Sequence, residues 1–156
     1  MRITFLWVGK TRDPQISALV ESYLQAVQKF VHVEIIATKP AKDRNPDEIR
    51  KKEGWALLKV LDRMKPKGIR VGLTVKGREY TSEVFARTLE RWLYQGGARV
   101  SFVVGGEEGF SDILMDRLDE EISLSKMTLT HEMARLVLAE QVYRAMTILK
   151  GTGYHR

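Results

Sequence analysis

The chain has 156 residues, 44% of them apolar, with 26 lysines and arginines against 20 acidic side chains and no cysteine. That length suits one domain burying about 70% of its unfolded surface, and the apolar fraction argues against disorder. Lack of cysteine excludes disulfides, iron–sulfur clusters and thiolate zinc sites, and no run approaches the ~20 apolar residues of a membrane span.

The opening stretch Met1–Val8 looks superficially like an export signal. Thr4 interrupts it and Gly9-Lys10 follows with no small-residue cleavage site, so a soluble cytoplasmic protein is expected. Residues 2–8 instead read as a strand, with Ile3, Phe5 and Trp7 on one face and Leu6 and Val8 on the other. Apolar groups on both faces suit a buried strand of a parallel sheet. From Pro14 to Phe30 the apolar residues recur at helical spacing, and His32–Thr38 reads as a second strand. Asn45-Pro46-Asp47-Glu48 is a helix start, with Asn as N-cap and Pro at the first helical position. That helix is predicted to reach Met64, before Pro66-Lys67-Gly68.

Ile69–Val75 is predicted as the third strand, Thr81 caps a helix to Tyr94, and Arg99–Val104 is the fourth strand. A glycine-rich turn over Gly105–Gly109, a helix over Ser111–Leu118 and a short strand near Glu121–Leu124 follow. A last helix runs from about His131 to Lys150. Alternation of strands and helices gives an α/β class with a mostly parallel sheet. The last helix carries apolar residues around almost its whole circumference, which requires burial on most sides and predicts a homodimer.

Metal chemistry finds little support. His32, His131 and His155 are far apart, and His131-Glu132 lacks the second His of a zincin motif because Arg135 stands there. Gly105-Gly106-Glu107-Glu108-Gly109 is neither a nucleophile elbow, a P-loop nor a dinucleotide fingerprint. It is either a plain turn or a place where backbone meets a ligand beyond a strand end. The same two readings hold for Leu124–Thr130, where Thr130 is also a helix cap. In the last helix His131 and Arg135 share a face, as do Glu140 and Arg144, as structural pairs or as site residues.

The charge is localised. Residues 39–70 hold eleven basic and five acidic side chains, the whole excess of +6. Within them Lys51, Trp55, Lys59 and Arg63 recur every four residues. Such a stripe fits phosphate contacts plus stacking on a base, or else Trp55 packs into the core beneath lysine stems.

Several segments then resemble one family in order and end to end: Phe102–Gly109, Leu124–His131, Arg135–Ala145, Tyr154-His155-Arg156 and the Val8-Gly9-Lys10 turn. The chain is similar to the RlmH-type methyltransferases of the SPOUT (α/β-knot) superfamily. The resemblance implies a small parallel sheet with helices on both faces, a C-terminal trefoil knot and a homodimer packed on the last helix. It implies S-adenosylmethionine, held by Leu73, Gly105 and the run Leu124, Ser125, Lys126, Met127, Thr128 and Leu129. No metal is expected. The reaction implied is methyl transfer to N3 of a pseudouridine in large-subunit ribosomal RNA of the assembled ribosome.

His131 and His155 are then the candidates to take the N3 proton, with Glu140 a further option. Arg135, Arg144 and Arg156 are candidates to stabilise developing charge or grip phosphate, and Tyr154 to stack on the flipped base. Lys51, Trp55, Lys59 and Arg63 complete the expected RNA contacts. Thr130 departs from the family, whose members usually carry Pro there. Two rival readings are a non-catalytic ribosome- or RNA-binding protein using residues 39–70, and a SPOUT enzyme of transfer RNA, which typically needs an added RNA-binding domain.

Overall fold

Strands and helices alternate through the computed structural model, which describes residues 1–155. The order is β1 (Arg2–Val8), α1 (Pro14–Gln28), β2 (His32–Thr38), α2 (Pro46–Arg63), β3 (Ile69–Arg78), α3 (Ser82–Gln95) and β4 (Arg99–Val104). Then come the one-turn α4 (Asp112–Met115), β5 (Glu120–Ile122), α5 (His131–Leu149) and a 3-10 turn over Gly153–His155. Arg156 and the His155 side chain lie outside the described residues.

The strands form one sheet in the order β2-β1-β4-β3-β5, with every pairing parallel. Connections travelling one way along it place α1 and α3 on one face, and those travelling back place α2 and α4 on the other, as right-handed crossovers require. Ile3, Phe5 and Trp7 of β1 join the larger core with α1, α3 and α5. Leu6 and Val8 join Leu57, Leu58 and Leu61 of α2 and Leu114 of α4 in the smaller one. The two apolar faces expected of β1 are thus both buried.

The helix starts follow their caps. Asp13, Asn45, Thr81, Ser111 and Thr130 each accept a first-turn N–H through the side chain. Three boundaries differ from expectation. β3 continues to Arg78 because its far end returns to pair with Ile122, which Leu73 already flanks. α4 closes after Met115, where turn bonds from Arg117 to Leu114 and from Leu118 to Met115 replace helical ones and Asp119 N–H goes to Arg70 O. β5 begins at Glu120 and ends at Ile122 rather than Leu124, leaving Ser123–Thr130 as a loop.

Candidate functional site

At the carboxyl ends of β3 and β4, facing the N-terminus of α5, lies a cleft of about 780 Å³. Open parallel sheets bind ligands at this edge, and the size falls within the ~300–1,000 Å³ of small-molecule sites. Leu73, Val104, Phe110, Leu129 and Ala134 give it apolar walls, while Gly105, Gly106 and Gly109 leave backbone on one side. The glycines are needed for contact: a Cβ on Gly105 would stand 3.1 Å from the Phe110 ring, and one on Gly106 would stand 2.6 Å from Glu53 Oε2. Gly109 also has φ +75°, the left-handed region that glycine enters most easily.

Of the residues expected to hold S-adenosylmethionine, Leu73, Gly105, Thr128 and Leu129 line this cleft. Leu124, Ser125 and Met127 line an adjoining pocket of about 100 Å³ that shares Leu73, Leu129 and Ala134 with it. Lys126 is exposed and lines neither. The loop is held by its own hydroxyls: Ser123 Oγ donates to Ser125 O at 2.9 Å, and Ser125 Oγ accepts from Met127 N–H at 3.0 Å. The lining, apolar walls with close backbone and the charged Lys76, Glu107 and Glu121 among them, fits a molecule that joins an apolar ring to polar and charged groups.

His131, at the start of α5, lines both this cleft and a second pocket of about 300 Å³ beside it, walled by Lys10, Arg12, Pro40 and Glu53. Arg135, one turn on, does not face either. It is 0% exposed, donating to Val8 O at 2.5 Å and Thr11 Oγ1 at 3.1 Å, with its guanidinium 5.0 Å from the centre of the Trp7 ring. Burial pulls its pKa down to about 10. Its place is beneath the β1–α1 loop, which it holds through these two bonds. Glu132 assists: its Oε1 accepts from the Arg12 and Asp13 N–H groups.

Glu53 escaped the sequence reading. It is 5% exposed, Oε1 accepts the Ala41 N–H at 3.1 Å, and Oε2 has no partner. Burial pushes its carboxyl above the usual carboxylate range, with Glu108 and Glu107 adding to the rise against the Ala41 bond. One signal was available: Glu53 lies on the same helical stripe as the core residues Leu57 and Leu61, where an acid is out of place.

The remaining catalytic and RNA candidates lie elsewhere. Arg144 donates to Glu140 Oε1 at 2.5 Å, and its guanidinium lies 5.1 Å from the centre of the Tyr154 ring. The Tyr154 ring also meets Tyr143 edge-on at 4.5 Å. The Tyr23 hydroxyl, burial and the Glu140 carboxylate together raise the Tyr154 pKa. From His131 to Tyr143 the helix climbs about 18 Å, so one chain does not bring Tyr154 to His131.

On α2, Trp55 is 59% exposed and beside Ile113 in a surface groove, which settles its two readings in favour of the surface. Lys51 pairs with Glu48 at 3.2 Å; Lys59 and Arg63 are exposed. Arg50 Nε donates to Glu108 O at 2.8 Å, fastening the start of α2 to the glycine turn. Among the described residues no group of three or more His, Asp or Glu is placed to hold a metal ion.

Comparison with known proteins agrees with this geometry. A family model described as "Predicted SPOUT methyltransferase" matches residues 1–155. A protein of Anaeromyxobacter sp. (strain Fw109-5) named ribosomal RNA large subunit methyltransferase H is 39% identical over 157 residues, with both chains fully covered. One of the same name from Trichlorobacter lovleyi is 37% identical, covering 99% of each chain. The fold is also similar to the crystal structure of a probable methyltransferase from Bordetella pertussis Tohama I. That likeness has a TM-score of 0.58 at 17% identity, over 93% of this chain and 94% of the other.

Proposed function

The chain belongs to the SPOUT methyltransferase family, and from that premise we propose that it methylates large-subunit ribosomal RNA with S-adenosylmethionine, at N3 of a pseudouridine. The observation that carries this reading is the glycine-floored cleft, where Leu73, Gly105, Thr128 and Leu129 converge at the strand ends. S-adenosylmethionine supplies an activated methyl on a sulfonium, which becomes a neutral thioether as the N3–CH₃ bond forms. The protein's tasks are to orient N3 against that methyl, exclude water and accept the N3 proton.

Among the described residues His131 borders the cofactor cleft and the second pocket together, as does the Glu107 carboxylate, which favours that pocket as the place for the target base. Lys10 and Arg12 share its wall with Glu53, Glu107 and Glu108, so only a carbonyl placed against the two cations has its developing charge stabilised. Arg135 contributes at one remove, by fixing the loop that carries both cations.

The domain is a single one spanning 1–156, cytoplasmic, with a C-terminal trefoil knot. Support for the knot comes from Ile122, which is flanked by both Leu73 and Arg78, so the chain leaving β5 runs inside the bend of β3. Ser123 N–H donates to Arg78 O at 3.0 Å in that bend. A homodimer is favoured because Tyr154 and His155 stand so far along α5 from His131. A second copy lying antiparallel on α5 brings its tail to the first copy's cleft.

The test supplies isotopically labelled S-adenosylmethionine and ribosomes from a strain lacking this activity, followed by mass spectrometry of the RNA. One methyl per large subunit on a pseudouridine is expected, with cofactor binding measurable by calorimetry. A protein that binds RNA but neither S-adenosylmethionine nor transfers methyl would instead be the non-catalytic binder.

A further inference from the structure

At the opposite edge of the sheet, where β1 and β4 begin and α2 ends, Arg2, Arg63, Lys65 and Arg99 line a groove of about 470 Å³. Arg2 and Arg99 are register partners on adjacent strands, so both side chains point to the α2 face. One carboxylate, Glu34, shares the groove; its Oε2 stands 3.7 Å from Arg2 Nη1 and 3.4 Å from Thr4 Oγ1. Arg99 is 8% exposed, and among the described residues its guanidinium has neither a hydrogen bond nor an ion pair, its nitrogens keeping contact with solvent in the groove. The neighbouring Arg70 is 3% exposed and reaches Leu61 O and Asp62 Oδ1 through Nη2 alone, both at 3.0 Å, while its Nε and Nη1 have no partner. No such acid serves Arg99, because Asp62 is already shared by Arg70 and Arg117.

We propose that this groove is a phosphate site for the RNA backbone, with Arg99 at its base and Arg2, Arg63 and Lys65 at its rim. The occupant's identity as RNA rests on the ribosomal reading above. Three cations in excess of one carboxylate make the groove strongly positive, and a phosphate entering it gains charge-assisted hydrogen bonds from the guanidinium of Arg99. Continuity supports the same occupant. The start of α2 is fastened to the glycine turn of the cleft through Arg50, and its end at Arg63 borders this groove about 20 Å further along the helix. Lys51, Lys59 and Arg63 lie between, so α2 joins the two ends of the sheet by a basic track. Phosphate gripped here belongs to RNA remote from the methylated base, and the contact fixes the angle at which the enzyme approaches it.

The experiment measures binding of the full-length protein to large ribosomal subunits lacking the modification, across ~0.05–0.2 M KCl. Arg99→Gln is expected to weaken binding about 3- to 10-fold and lower the salt slope by about one, with Arg99→Lys retaining most of the affinity. Lys65→Gln, on the exposed rim, moves both quantities in the same direction. Calorimetry with S-adenosylmethionine reports on folding and should be unchanged for each variant. Unchanged affinity and slope in Arg99→Gln overturn the site. So does a variant that shifts only the melting temperature, since the charge then merely balances the carbonyl end of α2. If Arg99→Gln loses the cofactor by misfolding, the double variant Arg63→Gln/Lys65→Gln decides by the same readouts. A wild-type protein that neither binds subunits nor methylates them refutes the ribosomal function itself.

Discussion

Arg135 shows how far a charged side chain can act on a site without touching it. Its two bonds hold Val8 O and Thr11, the residues that lead into the Lys10–Arg12 wall of the second pocket. Arg135→Met keeps the volume but leaves the Val8 carbonyl buried without its donor, a loss of about 1–3 kcal/mol. A urea midpoint equal to wild type would show that the guanidinium does not brace the loop. Arg135→Lys should rescue little, because one ammonium cannot reproduce the guanidinium fork. Glu53 makes the opposite case, a carboxyl held under Gly106 with one oxygen unmatched. Its folded pKa is raised, so the folded state holds the proton more tightly than the unfolded chain. This group therefore favours folding at low pH and loses that contribution as pH rises through the folded value. Glu53→Gln should gain stability relative to wild type between pH 4.5 and 7.5, read from paired thermal melts. A constant difference across that range would mean that Glu53 titrates as it does unfolded.

At the scale of elements, the bend of β3 around β5 is the most exacting piece of packing. A Cβ on Gly77 would stand 2.4–2.7 Å from backbone atoms of Ile122, with no flexible side chain to yield. Gly77→Ala should therefore cost about 1–3 kcal/mol and weaken S-adenosylmethionine binding, since the same bend carries Leu73 to the cleft. Retained cofactor affinity would separate the bend from the site. Sequence periodicity stopped this strand at Val75, because Lys76-Gly77-Arg78 has no apolar pattern and its pairing is with a distant segment. By contrast β1 and the five helix starts were legible, since alternation and caps are written within a few residues. The loop at Ser123–Thr130 was located by motif, while its ordering by Ser123 and Ser125 hydroxyls follows from local turn chemistry. For Glu53 only its place on the stripe of Leu57 and Leu61 hinted at burial, and the partners of Glu53 and Arg135 were not legible, because their environment is assembled from α2, α5, the β1–α1 loop and the glycine turn at once.

For the molecule as a whole, the decisive geometry is the distance along α5. In one chain His131 opens that helix while Tyr154 folds back on Tyr143, Arg144 and Glu140 near its other end. If the tail engages substrate next to His131, it must come from a second copy, and neither half-site works alone. Two inactive proteins then complement each other: one carries His131→Ala, the other lacks residues 154–156. When the two are refolded together, half the dimers are mixed, and each mixed dimer holds one intact pairing of His131 with a tail. About one quarter of wild-type turnover should return, while each parent alone stays inactive and the truncated one still binds S-adenosylmethionine. Recovery would place the tail across the interface; its absence, with mixed dimers verified by mass, would place His131 and the tail in separate functions. A truncated protein with full turnover would remove the tail from the reaction, leaving the charge track on α2 as the RNA contact to be explained.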